Sequence, residues 1–444
     1  MSKEASMRIP IIDQYRELFF DKNPEAHGRL CMVTSGIVTN ISGNLAGGAF
    51  YSAFLLEYGI NLTNIGIIIF IPYIASLFTL LSPMVLSKFK RRRWILFATR
   101  VLSNILSIVG VTVLPLVVHG ETAKVVCFAL ISFLASVIGS LFTPGYSVWH
   151  FNFLPDKVRS GYFTQSQFLS ALVSGVMVVL VSIGADFFAG TERERAVIIA
   201  VRLLAFVFAI IDCIVLALPK EYPYPQSNNK LRISDVVRQP LKNKMFLGAI
   251  GLYCGYCVYM NLSGSVQNAY ILSDTQVNYT MIYGINALYA VFFIAFSGFW
   301  QKMIRLRGWV PVFSLSSLML TVTYIMFMFI NYENSIWLFP ALRLLQHFIG
   351  VGQNVTAANL HLLYMPIEDR DNFVSFYQIA ANLANFIAMM LGTGFVALMG
   401  DRVITFLGHD FTSVPLLMGG HAIVCVVVAL LAHKFHKAEL KLEN

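Results

Sequence analysis

Five polar or small residues between positions 343 and 361 share one face of a helix: Arg343, His347, Gly350, Asn354 and His361. At 100° per residue they fall within about 40° of one direction. A guanidinium beside an imidazole suits a carboxylate or phosphate. An imidazole near neutral pH also suits proton transfer. The stripe therefore predicts a binding face for a small solute, with Arg343, His347 and Asn354 as contacts and His347 as the candidate for proton coupling.

Amides and hydroxyls form a second set of stripes at the same helical spacing. One stripe has Asn40, Asn44 and Tyr51, and another has Asn261 and Asn268. Such side chains suit a neutral ligand rich in hydroxyl groups. The asparagines can equally form bonds between helices. Nearby glycines, Gly43, Gly47 and Gly48, can serve close packing.

The remaining polar candidates lie nearer the ends of apolar segments. Gln378 and Asn382 extend the predicted solute-binding set. His150 and His361 are predicted to act in gating or coupling, although a structural role fits them as well. Trp149 either stacks on a sugar ring or belongs to the aromatic belt of the membrane interface.

Apolar segments long enough to cross a membrane must position these residues. The chain has 444 residues, of which 57% are hydrophobic and only 12% charged, about half the charge of a soluble domain. In lipid such segments must be helices, because no water satisfies the backbone. We predict an all-α membrane protein with twelve spans: 30–57, 63–87, 94–117, 123–150, 160–189, 196–218, 245–272, 279–302, 309–331, 335–364, 371–399 and 414–436.

The second half of the chain repeats short polar sequence motifs of the first half. Asn44-Leu45-Ala46-Gly47 returns as Asn261-Leu262-Ser263-Gly264, and the His150, Pro155, Arg159 series returns as His361, Pro366, Arg370. A duplicated six-helix unit is typical of secondary transporters. The predicted organisation is a segment at 1–29, a six-helix bundle at 30–218, a linker at 219–244, a second bundle at 245–436 and a tail at 437–444.

The net charge of +9 indicates orientation rather than nucleic-acid binding. Lys and Arg concentrate before residue 30, in 88–93 and in 219–244. This asymmetry places both termini and the linker in the cytoplasm of a multi-pass cell-membrane protein, with some attraction to anionic lipid.

The repeat, the linker and a basic loop resemble the major facilitator superfamily, in its prokaryotic type. The family's loop between helices 2 and 3 reads Gly-x-x-x-Asp-Arg-x-Gly-Arg-Arg; here the stretch has Pro83, Ser87, Lys88, Lys90, Arg91 and Arg92. The basic residues match, whereas Ser87 replaces the Asp that normally joins an inner-gate charge network. The Pro-x-x-x-Arg pairs Pro155/Arg159 and Pro366/Arg370 fit the family's loops between helices 4 and 5 and between helices 10 and 11.

The resemblance implies a monomer without cofactor or metal, in which two bundles rock about a central site. It implies that helices 1, 4, 7 and 10 line the cavity, helped by helices 2, 5, 8 and 11. It also implies gating roles for Arg91, Arg92, Arg159 and Arg370.

Four further charged residues lie within or near spans. Asp212 is expected to pair with Arg100 rather than to bind solute. Asp186 and Arg202 are expected to reach water at the outer ends of their helices.

The leading hypothesis is secondary active transport of a small polar solute, sugar-like or a glycoside, possibly by proton symport. Efflux of amphipathic compounds and transport of an organic anion remain alternatives, as does a non-transporting membrane sensor from another class. The sequence has no nucleophile–base constellation, phosphate loop or metal cluster, so an enzyme is not predicted.

Overall fold

The computed structural model describes residues 18–19, 23–151, 153–154, 156–221, 233–366, 370–406 and 408–443. Helices dominate, and we number the spans as predicted from the sequence. Their bounds are Pro24–Ala46 with Gly48–Glu57 (span 1), Leu62–Ala75 with Ser82–Leu86 (span 2), Arg93–Asn104 with Val111–Val117 (span 3), Glu121–Phe151 (span 4), Asp156–Asp186 (span 5), Glu194–Ala217 (span 6), Lys244–Asn261 with Gln267–Asp274 (span 7), Tyr279–Arg307 (span 8), Trp309–Phe327 (span 9), Ser335–Leu363 (span 10), Arg370–Met399 (span 11) and Ser413–Glu443 (span 12).

Nine of these spans are, within the described residues, long and apolar enough to cross a membrane by length and composition. The other three are spans 1, 7 and 10. Spans 1 and 7 are each broken into two helices, and span 10 carries the polar stripe with Arg343 and His347. The helical membrane fold is therefore confirmed, and the full count of twelve crossings is consistent with these helices.

Short irregular elements complete the architecture. A 3₁₀ segment, Ser76–Leu81, interrupts span 2 after Pro72, and a π-helical segment, Ile105–Gly110, interrupts span 3. Proline removes a backbone donor and favours such departures from the α-helix. A short helix, Ile233–Lys242, lies within the predicted linker. Between spans 11 and 12 an antiparallel hairpin pairs Ile404–Phe406 with His409–Phe411, a small departure from the all-α prediction.

Two asparagines that match glycosylation sequons act as helix caps. The side-chain oxygen of Asn61 accepts from the Asn64 N–H at 2.9 Å, and that of Asn278 accepts from the Met281 N–H at 2.9 Å. Each cap satisfies one of the free N–H groups at a helix start.

Asp212 forms the expected ion pair inside the first half of the chain. Its Oδ2 lies 2.6 Å from Nε of Arg100, and its Oδ1 accepts from Ser35 Oγ at 2.5 Å. The pair links spans 1, 3 and 6, so the prediction of an interhelix partner is confirmed.

The expectation that Arg202 reaches water is wrong. Its side chain is only 1% exposed, and its guanidinium donates to Thr112 Oγ1 at 2.8 Å and to the Ala46 carbonyl at 3.1 Å. The break in span 1 frees that carbonyl, which gives the guanidinium a partner inside the protein.

The two halves of the chain meet at one end of the bundle, here called the closed end, formed by Phe50, Asp186, Tyr279 and Tyr283. Phe50 of span 1 stacks on the Tyr279 and Tyr283 rings of span 8, with centroid distances of 4.9 and 5.1 Å. The Tyr283 hydroxyl donates to the Asn44 carbonyl at 3.0 Å. Asp186 of span 5 accepts from the N–H groups of Tyr279 at 2.9 Å and of Thr280 at 2.7 Å.

Asp186 is expected to hold the closed end together. A carboxylate at a helix N-terminus is stabilised by free N–H groups and by the helix dipole. Hydrogen bonds to a charged group are worth about 1.5–3 kcal/mol, so Asp186→Ala should shift the conformational equilibrium roughly 10- to 100-fold towards separation of this end. The measurement is the rate at which a cysteine at position 286, in the cavity described below, reacts with an impermeant maleimide added from the closed-end side.

Glu192→Ala is the matched control, because Glu192 is exposed near the same end. Asp186→Asn, which keeps one acceptor oxygen, should fall between parent and Asp186→Ala. Equal labelling rates in Asp186→Ala and Glu192→Ala would assign the capping contact no part in closure.

Candidate solute-binding cavity

A cavity of about 1180 Å³ lies between the two halves, lined by spans 1, 5 and 8. It begins at Tyr283, next to the closed end, and extends about three helical turns along span 8 to Ile294. From span 5 it is lined as far as Gln165, on the side away from the closed end. The volume suits a ligand of a few hundred daltons.

Span 1 and span 5 supply a hydrogen-bonded polar wall. Asn40 and Asn44 both line the cavity, as predicted from their stripe. Asn40 Nδ2 donates to Ser170 Oγ at 2.7 Å, and Asn44 Nδ2 donates to the Asn40 carbonyl at 2.8 Å. These bonds orient both amides, so that their oxygens remain available to a ligand.

Span 8 supplies the opposite wall. Asn286 is exposed in the cavity, between Tyr283 and Tyr289. Asn354 of span 10 lies behind this wall: its Nδ2 donates to the Tyr289 hydroxyl at 2.6 Å, and its Oδ1 accepts from the Tyr256 hydroxyl at 2.6 Å. Asn354 therefore positions Tyr289, a lining residue, and connects it by hydrogen bonds to Tyr256 of span 7.

The chemistry of the described lining is polar but uncharged. Its hydrogen-bonding members are Asn40, Asn44, Gln165, Gln167, Ser174, Tyr283, Asn286 and Tyr289, and its remaining described members are apolar or glycine. Aromatic side chains at Phe168 and Phe293 add flat apolar surface. Such a lining can bind a neutral molecule that has both hydroxyl groups and a ring face.

His347 and Arg343 lie behind the span 8 wall rather than among the described lining residues. The His347 Nε2 lies 2.9 Å from the Ile285 carbonyl, and its ring packs edge-on against Tyr289 at 5.4 Å. Arg343 donates to Gln346 Oε1 at 3.1 Å and lies over the Phe339 ring at 5.7 Å. Its buried Nε has no hydrogen-bond partner among the described residues.

The other predicted solute contacts lie apart from this cavity. Asn261 Nδ2 donates to Asn385 Oδ1 at 3.0 Å. This is a bond between helices, which was the alternative to solute binding for this residue. Tyr51 packs under the Arg202 guanidinium, at 5.1 Å from its ring. Asn268 and Asn382 are half-buried and Gln378 is exposed. A role in solute binding for these residues stays a prediction.

The predicted gating residues fall into two groups. Arg91 is exposed, whereas Arg92 is buried and its backbone N–H donates to Glu221 Oε1 at 2.6 Å at the start of the linker. The buried Nε2 of His150 has no hydrogen-bond partner among the described residues. The side chains of Arg159, His361 and Arg370 lie outside the described part of the structure.

Trp149 takes neither of the two roles considered for it. Its indole N–H donates to the Lys220 carbonyl at 3.0 Å, and its ring is 6% exposed beneath the Arg93 guanidinium. It anchors the linker to the first half of the chain.

The wall formed by span 8 was missed as a source of site residues. The signal was present: Tyr283, Asn286, Ala290 and Phe293 follow one another at spacings of three and four residues. This pattern is also typical of an ordinary apolar helix, because only one of the four side chains is strongly polar.

Comparisons with known proteins agree with this geometry. The family model described as Major Facilitator Superfamily matches residues 248–443. The match covers the second half of the sequence, and solved transporter structures share the fold of nearly the whole chain. Both findings agree with the predicted family and with the predicted class of function, a transporter rather than an enzyme.

Solved structures of this superfamily have the same fold. A variant of the nucleoside transporter NupG is 13% identical over 93% of this chain and 100% of its own, with a TM-score of 0.62. The D-xylose-proton symporter is 14% identical over 92% and 97%, with a TM-score of 0.62. A bacterial homologue of the human lysosomal transporter Spinster, in an inward-facing and unoccupied conformation, is 13% identical over 95% and 98%, with a TM-score of 0.65. No curated protein matches the sequence significantly.

Proposed function

We propose that this protein is a member of the superfamily and moves a small, neutral, hydroxyl-rich solute across the cell membrane by alternating access. The observation that carries the proposal is the cavity between the halves, whose described lining offers amides, hydroxyls and aromatic faces but no charge. A charged solute would have to leave water for a site without a counter-charge, which is costly. A sugar, a glycoside or a nucleoside has hydroxyl groups that can bond to the amides and hydroxyls of this lining, and a ring that can pack on its aromatic side chains.

The names of two structural neighbours support this solute class. One is a nucleoside transporter and the other a D-xylose-proton symporter. Coupling to protons is part of the proposal, with His347 as the candidate group, because its imidazole contacts a lining residue.

Transport of an organic anion is the second candidate. The observation that favours it is the guanidinium of Arg343, which no described Asp or Glu neutralises. Efflux of amphipathic compounds draws support from the aromatic lining alone.

Uptake into proteoliposomes tests these candidates. Radiolabelled D-xylose, uridine and an aliphatic carboxylate would each be offered with and without an inward proton gradient. Saturable uptake of D-xylose or uridine is the expected result, and stimulation by the gradient would support symport. Saturable uptake of the carboxylate alone would replace the neutral-solute proposal with the anion one.

The proposed organisation keeps the predicted domain bounds and places both termini and the linker in the cytoplasm. The closed end then faces outwards and the conformation is inward-facing. The protein is proposed to act as a monomer in the cell membrane, in contact with lipids and without a nucleic-acid partner. Gating roles for Arg91, Arg92, Arg159, Arg370, His150 and His361 belong to the same proposal.

This orientation predicts a labelling pattern. In a cysteine-free background, a single cysteine at Gln276, exposed near the closed end, should react with an impermeant maleimide added to intact cells. A single cysteine at Lys230, in the linker, should react only after permeabilisation. The opposite pattern would reverse the orientation and make the conformation outward-facing.

A further inference from the structure

Spans 1 and 7 are each broken near the closed end, and a basic residue from the last span of the same half holds each break. Span 1 stops at Ala46 and restarts at Gly48, and span 7 stops at Asn261 and restarts at Gln267. A break leaves backbone carbonyl and N–H groups without helical partners. Inside a membrane protein such groups need partners from elsewhere.

Arg202 of span 6 holds the break in span 1. One guanidinium nitrogen donates to the carbonyl of Ala46, the last residue of the first helix. The guanidinium carbon also lies 5.1 Å from the Tyr51 ring and 4.5 Å from the Phe54 ring, both in the second helix. A single buried side chain therefore connects the two parts of span 1 with each other, and its Nε bond to Thr112 adds span 3.

His421 of span 12 holds the break in span 7. Its Nδ1 donates to the Tyr259 carbonyl, and its Nε2 accepts from the Ser263 backbone N–H at 3.0 Å. Because a backbone N–H can only donate, Nε2 must be unprotonated and the ring neutral. The imidazole stacks on Tyr324 at 4.6 Å and is 1% exposed.

These two contacts correspond under the internal repeat. The offset from Ala46 to Ser263 is 217 positions, equal to that from Asn44 to Asn261, and the offset from Arg202 to His421 is 219. Equivalent spans thus place different basic side chains at equivalent breaks. The polarity of the contacts differs, since Arg202 donates to the Ala46 carbonyl while His421 accepts from the Ser263 N–H, but each satisfies a backbone group at the break.

We propose that Arg202 and His421 are paired positioning residues that hold the broken spans in the shape the closed end requires. The proposal rests on the proposed function only in treating the closed end as a gate. The second helix of span 1 carries Phe50, which stacks on Tyr279 and Tyr283 of the other half. Loss of Arg202 would leave this helix free to move away from span 8.

The break in span 7 reaches the other half through span 11. The hydroxyl groups of Ser265 and Thr393 form a hydrogen bond with an oxygen–oxygen distance of 2.9 Å. Thr393 in turn packs so closely on span 2 that a Cβ added at Gly66 would lie 2.4 Å from its Oγ1. Loss of His421 would loosen the turn that carries Ser265, and with it the contact between spans 11 and 2.

Distances between spin labels test the proposal without a solute. Labels at Phe187, which is 84% exposed, and at exposed Gln276 report the separation of the halves at the closed end. The parent protein in nanodiscs should give one short distance. Arg202→Met and His421→Leu should each add a longer distance and raise its population at least several-fold, with a melting temperature within about 5 °C of the parent's.

Arg193→Met and His433→Leu are matched controls, because both side chains are exposed. Arg202→Lys keeps a donating ammonium group and His421→Gln keeps an amide that can form hydrogen bonds. Both variants should therefore raise the population of the longer distance less than Arg202→Met and His421→Leu do. A parental distance distribution in Arg202→Met and His421→Leu would overturn the proposal. If those two variants fail to fold, a parental distribution in Arg202→Lys and His421→Gln would overturn it equally. Failure of every solute in the uptake assay would count against the proposed function and leave this result unaffected.

Discussion

Replacing Arg343 with Gln is expected to abolish transport while leaving expression and folding nearly intact. A guanidinium without a carboxylate partner costs several kcal/mol to bury even after the surroundings relax. Among the described residues, the Arg343 guanidinium has Gln346 as its hydrogen-bond partner and the Phe339 ring as its cation–π partner, and its Nε is unsatisfied. We expect the charge to be used when the cavity changes shape, because span 10 packs behind the lining residue Tyr289. The measurement is the initial rate of solute uptake into proteoliposomes.

Arg343→Lys should impair transport less than Arg343→Gln, since a point charge keeps the positive field but not the planar fork. Arg307→Gln, at the exposed end of span 8, is the matched control. Normal uptake by Arg343→Gln would show that transport does not need the guanidinium. Loss of folded protein would make Arg343 structural and move the site to the asparagines of the cavity.

Replacing Asn286 with Leu is expected to raise the KM for the transported solute about 10- to 100-fold. Asn286 is exposed in the cavity on the wall opposite Asn40 and Asn44. Removing one partner of a hydrogen bond leaves a desolvated polar group on the ligand, at a cost of about 1–3 kcal/mol. The maximal rate should change little, because the side chain takes no part in the closed-end contacts described above.

Leu288→Ala is the control for this substitution. Leu288 lies two positions along the same helix, is 42% exposed and is absent from the described lining of the cavity. Equal KM values for the parent and Asn286→Leu would show that the solute binds elsewhere. A fall in the maximal rate with unchanged KM would instead assign Asn286 to the conformational change.

Helical periodicity identified the inward faces of the spans but not what covers them. Asn40 and Asn44 were predicted from spacing and do line the cavity. His347 and Asn354 were predicted by the same rule, yet they lie behind Tyr289, because span 8 covers that part of span 10. Spacing within one helix carries no information about which neighbouring helix packs over it.

The error at Arg202 has a similar origin. The sequence places Arg202 near the outer end of span 6, which by itself predicts that the side chain reaches water. The break after Ala46 turns a carbonyl towards it, and that break depends on Gly48, whose φ of +53° favours glycine. A local backbone feature of one span thus decided the environment of a side chain in another. The Arg100–Asp212 pair was predictable because opposite charges within a membrane have few alternatives.

The two buried charges of span 6 also constrain how the chain is assembled in the membrane. Arg202 and Asp212 each cost about 2.5–3.5 kcal/mol at the centre of a helix that enters lipid alone. Span 6 offsets this with a mean hydropathy of 2.7, the highest among the nine apolar spans of the described residues. Their partners, Arg100, Ser35, Thr112 and the Ala46 carbonyl, all belong to spans 1 and 3. The first half of the chain can therefore form these bonds only after span 6 has been synthesised, later than its first five spans.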